Sequence, residues 1–178
     1  MADATPLYSG LITDLNASPA VKHDPIDFKG VARSVVGVLA LTSAVITAAA
    51  AGDTWAMVRV PSRARIKSVK LTSDQLDSST GLAVSLGVYA ANQAGVLANT
   101  SSDTLWLSAA STFQAAVLGV DQSLAIAASK QAQPLWQLIG LASDPSVDYD
   151  ICFKVTHAVT TAETSGSVAL EVGFVDND

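Results

Sequence analysis

The chain has 178 residues, enough for one buried core and within the usual range of a single domain. Apolar residues make up 49% and charged residues only 15%, against roughly 25% charged in ordinary soluble domains, so a lone monomer has few solvated groups to cover its surface and association is favoured. A net charge of −6 argues against phosphate neutralisation and hence against nucleic acid as partner, and the single cysteine, Cys152, excludes an intrachain disulfide or a one-chain thiolate metal cluster.

Residues 1–30 show no sustained period of 2 or 3.6, and Pro6, Pro19 and Pro25 interrupt them. They are expected to form an extended arm lying against a neighbour or across its own domain, while residues 31–178 form the domain proper. The N-terminus lacks the basic and apolar regions of a signal peptide, and no stretch reaches the roughly 18 apolar residues of a membrane span, so a soluble, unprocessed protein is expected.

Residues 31–41 put Val35, Gly37, Leu39 and Leu41 on one parity, the pattern of a buried strand. A short helix over 44–51 is closed by Gly52, and a strand over 55–60 is halted by Pro61, which cannot donate to a ladder. Residues 66–73 place Lys67, Val69 and Leu71 on one face, with a bulge expected near Ile66. After a polar turn, Leu82, Val84, Leu86 and Val88 alternate with Ala83, Ser85, Gly87 and Tyr89, the clearest strand of the first half. A loop over 92–103, a strand over 104–107, a helical turn within 111–118 and a strand over 124–128 follow. Pro134 suits the start of a short helix over 135–141, with a strand as the alternative.

Near the end, Tyr149, Ile151, Phe153, Val155 and His157 share one face, as do Val168, Leu170, Val172 and Phe174. These read as two antiparallel strands closing the chain across a long turn. Many short strands between turns predict an all-β protein, a β-sandwich or jelly-roll-like domain with short helices.

Chemistry-bearing patterns are few. Only His23 and His157 could serve a serine as base, and no G-x-S-x-G elbow is present, so no enzyme is expected. His23, Asp24 and Asp27 lack further ligands at a metal-binding spacing, and Asp74, Asp77 and Ser79 read as a turn rather than a calcium loop. Neither metal nor cofactor is expected, and Cys152 reads as a weakly exposed or second-layer thiol. Trp55, Trp106 and Trp136 sit in apolar runs and read as core. Half the basic residues cluster as Arg59, Arg63, Arg65, Lys67 and Lys70, either a solvated strand face and turn or a docking strip for an acidic neighbour.

Residues 31–41 with the following GDTW, then VRVPSRARIKSVKLTSDQLDSSTGLAVSLGVY, then LWQLIGLASDPSVDYDICFKVTHA leading to SVALEVGFV, together resemble small virion structural proteins of tailed bacteriophages, of the capsid decoration or head-stabilising type. The resemblance implies a β-sandwich on the outer face of a major capsid protein lattice, often as a symmetric homo-oligomer, with a trimer favoured, and an N-terminal arm reaching to neighbours. It implies residence in the virion after synthesis in the host cytoplasm. It transfers no site residues; the contacts nominated from the sequence are Leu7, Tyr8, Leu11 and Ile12 in the arm, and Arg59, Arg63, Arg65 and Lys67 in the basic cluster. A fibre or receptor-binding head that meets carbohydrate through Trp and Tyr, and a tail or connector component, are the alternatives.

Overall fold

A computed structural model describes residues 31–79, 81–91 and 102–176. Eight strands run in chain order: β1 Val31–Thr42, β2 Thr54–Pro61, β3 Arg65–Ser73, β4 Ala83–Ala90, β5 Leu107–Ala110, β6 Val117–Asp121, β7 Asp148–His157 and β8 Ser165–Asp176. Two short helices interrupt them, α1 Ser43–Ala48 and α2 Leu135–Leu138. The strands form two four-stranded antiparallel sheets, ordered β1-β8-β3-β6 and β2-β7-β4-β5. First pairs with last, second with seventh, third with sixth and fourth with fifth. A long antiparallel ribbon rolled over on itself gives this order, which is that of a jelly roll.

The alternation read from the sequence explains the core. Val168, Leu170 and Val172 of β8 and Ile151, Phe153 and Val155 of β7 are completely buried, facing each other between the sheets. Phe113 fills the space between them: its ring stacks on Trp55 at 6.0 Å and meets Phe153 edge-on at 5.2 Å. In a core rich in small side chains, these rings supply much of the buried area. β4 is buried on both parities. Residues 102–106 lie against it, Val88 N–H donating to the Ser102 carbonyl at 2.9 Å and Trp106 N–H to the Leu86 carbonyl at 3.1 Å. A Cβ on Gly87 would fall 2.0 Å from the Ser102 carbonyl, so only glycine admits this close approach.

Several expectations are corrected. The two closing strands do not pair: β7 lies between β2 and β4 and β8 between β1 and β3, so the connection after His157 crosses from one sheet to the other. The strand expected over 104–107 begins at Leu107, because Trp106 already turns into the core, and the strand expected over 124–128 is instead β6, seven residues earlier by its first residue, followed by a 3-10 turn over Ser123–Ala125. β1 is a rim strand whose inward Val35 and Leu39 are only half-buried, not a buried one. Lys67 does not share the buried face of Val69 and Leu71; it is exposed where the β3 register shifts between Ile66 and Ser68, beside the position expected for the bulge. Of the two readings of Cys152, the weakly exposed one falls and the second-layer one agrees with its burial, while His157 ends its strand in solvent. Residues 92–101 of the loop expected over 92–103, and the arm over 1–30, lie outside the described residues.

The turn after β3 has an organising centre. Asp77 is fully buried, and its carboxylate accepts from Ser79 N–H (3.0 Å), Ser79 Oγ (2.8 Å), Leu82 N–H (2.7 Å), Thr160 N–H (3.2 Å) and Thr161 N–H (3.0 Å). Burial, the largest single influence, would raise its pKa, yet the donors together outweigh it and hold the carboxyl well below the usual carboxylate range. Since folding lowers this pKa, the unfolded chain takes up the proton first on acidification. The stability contributed by Asp77 is therefore complete above about pH 4 and is lost as pH falls towards the folded pKa. Asp77→Asn is expected to cost about 3 kcal/mol at neutral pH and to remove that part of the acid dependence, as measured by urea unfolding across a pH series.

Candidate functional site

A charged surface lies where the rims β1 and β2 meet. Here a groove of about 490 Å³ is lined by Arg33 and Val35 of β1, Arg59 and Pro61 of β2, Arg63 of the following turn, and the acidic residues Asp148 and Asp176. The sheets close tightly at this rim, since a Cβ on Gly37 would fall 2.0 Å from the Met57 carbonyl. Arg33 shares the inward parity of Val35 and Leu39, so it reaches into the rim rather than away from it.

The turn carrying Arg63 is pinned from both sides. Ser62 N–H donates to the Val147 carbonyl at 2.8 Å, and the Ser62 hydroxyl donates to Asp144. Leu135 N–H donates to the Ala64 carbonyl at 2.9 Å and Trp136 N–H to the Ser62 carbonyl at 3.0 Å, so the start of α2 buttresses the same turn. The Ser62 hydroxyl, the Ser146 N–H and nearby Arg63 all favour ionised Asp144, in that order with burial opposing, and its pKa is lowered. Arg63 is thus presented from a rigid corner, half exposed.

Arg59 forms a two-pronged pair across the ladder with Asp150, Nε to Oδ1 at 2.7 Å and a terminal nitrogen to Oδ2 at 2.9 Å. That hydrogen bond, the largest influence, raises the guanidinium pKa together with the attraction of Asp150 and Asp148, while desolvation opposes them. Arg63 Nε stands 3.3 Å from Asp176 Oδ1, close enough for ion pairing but without hydrogen-bond alignment. Lys154 reaches Asp103 at 3.2 Å.

The basic cluster read from the sequence is thus divided by the fold. Arg59 and Arg63 meet in the groove, Arg65 pairs in register with Val175 of β8, and Lys67 sits at the bulge. Lys70 lies between Glu171 and Asp121 in register, and Ser34 Oγ donates to Glu171 at 3.2 Å, so a polar row crosses the outer face of the β1-β8-β3-β6 sheet. Arg33, Asp148, Asp150 and Asp176 were not singled out in the sequence. The one legible sign was a cation at Arg33 on an otherwise apolar parity. Leu7, Tyr8, Leu11 and Ile12 lie outside the described residues, as do His23, Asp24 and Asp27.

A second groove, about 630 Å³, runs beside α1 and is lined by Val45, Ala48, Asp53 and the half-buried Trp55. Trp106 is buried as expected, and Trp136 is half-buried on α2. Among the described residues no three His, Cys, Asp or Glu side chains converge as metal ligands, and no helix is long and apolar enough to cross a membrane.

No protein-family model matches the chain, and a search of curated proteins finds no match. Solved structures do share its fold. A chain of the cyanophage Pam1 capsid asymmetric unit is 21% identical, with 89% of this chain and 91% of that one covered at a TM-score of 0.50. A chain from the capsid of Ralstonia phage GP4 is 17% identical, with 84% and 86% covered at a TM-score of 0.58. The β-sandwich implied by the sequence resemblance is therefore a fold found in phage capsid structures.

Removing the Arg59 side-chain charge leaves Asp150 buried beside the core without its two-pronged partner. Arg59→Gln is expected to lower the urea midpoint, whereas Lys67→Gln, at an exposed bulge, leaves it unchanged; equilibrium unfolding of the two variants checks this.

Proposed function

We propose that this chain is a virion structural protein that decorates and stabilises a tailed-phage capsid by binding and bridging major capsid protein subunits. The observation that carries this reading is the jelly roll itself, shared over more than four-fifths of the chain with chains of two phage capsids. The low charge fraction and the thirty residues that precede β1 support it, and so does the charged groove built on a hydrogen-bonded corner. In this reading the protein is a homo-oligomer on the capsid surface and performs no chemical step.

The mechanism is linkage. A protein that binds only the assembled lattice stabilises it by mass action, by about 2.7 kcal/mol per site when its free concentration is a hundredfold above Kd. Contacts are assigned to the arm residues Leu7, Tyr8, Leu11 and Ile12, to the rim cations Arg59 and Arg63, and to Arg65 and Lys67 of β3. Because Arg59 and Arg63 already hold Asp150 and Asp176, an acidic partner segment joins these pairs as a third member and aligns them instead of displacing them.

A second reading, a glycan-binding head, has one observation in its favour: Trp55 lines the groove beside α1 next to Asp53. Its ring is committed to Phe113 on one side, and the Asp53 carboxylate accepts from Ala50 N–H at 2.8 Å, which leaves the shell-binding reading ahead.

The test is co-sedimentation with capsid shells of the phage that encodes the chain. The wild-type chain is expected to pellet with shells and raise their thermal disruption temperature. A full-length variant with Leu7, Tyr8, Leu11 and Ile12 all changed to serine is expected to stay folded by circular dichroism and remain in the supernatant. Undiminished binding by that variant rejects the arm's role, and absence of wild-type binding rejects decoration.

A further inference from the structure

We draw no further inference here: the strongest candidate, the charged groove between the β1 and β2 rims that is lined in part by the buried Asp176 carboxylate, belongs to the site already described, and nothing among the described residues shows what covers it.

Discussion

A jelly roll hops between its sheets repeatedly, and every hop drags backbone polar groups across the end of a dry core. The buried carboxylate of Asp77 answers that constraint at one end. It binds the connection from β3 to β4 to the connection from β7 to β8, segments some eighty residues apart in sequence. Around it, Leu76 N–H donates to the Phe113 carbonyl, Glu163 N–H to the Leu76 carbonyl and Ser78 N–H to the Thr161 carbonyl. The segment from β5 to β6 is tied into the same cluster, which sets Phe113 in place between Trp55 and Phe153. One ionised group thus satisfies donors from two crossovers and fixes the end of the sandwich against which the aromatic core is packed.

With the ends fixed in this way, the individuality of the molecule lies along its sides. On one side the short, bent strands β5 and β6 end the sheets. On the other, β1 and β2 close on each other at Gly37 and leave the arginine-lined groove beside them. Arg59 and Arg63 there are already engaged with carboxylates of their own chain, and this suits a structural surface. A paired arginine presents oriented donors without carrying a large unbalanced charge, so it gives geometric selectivity more than raw attraction.

Strands with strong alternation were legible in the sequence. β4, β7 and β8 were visible because Val84, Ile151 and Leu170 and their neighbours at every second position face a common core. β5 and β6 were misplaced because short edge strands have little buried face to impose a pattern; Leu118 of β6 points into solvent. The pairing of the last two strands was misjudged because adjacency in sequence suggests a hairpin, whereas the choice between hairpin and crossover is settled by burial of whole sheets. At the charged groove the arginines were legible as a cluster but their partners were not, since Asp150 and Asp176 are brought in by strand register. Asp77 looked like an ordinary turn residue, because four of its five donors are backbone N–H groups, which leave no mark in a sequence.

The lone thiol has a consequence of its own. Cys152 lies completely enclosed on β7, and burial together with the nearby Asp150 charge pushes its pKa up to about 12. At neutral pH it is therefore protonated and shielded, inert to oxidants and alkylating reagents for as long as the β2-β7-β4 ladder stays closed. The chain thus contains a natural gauge: the rate at which an added maleimide captures this sulfur follows the fraction of time for which the central strands stand apart, with no engineered probe needed.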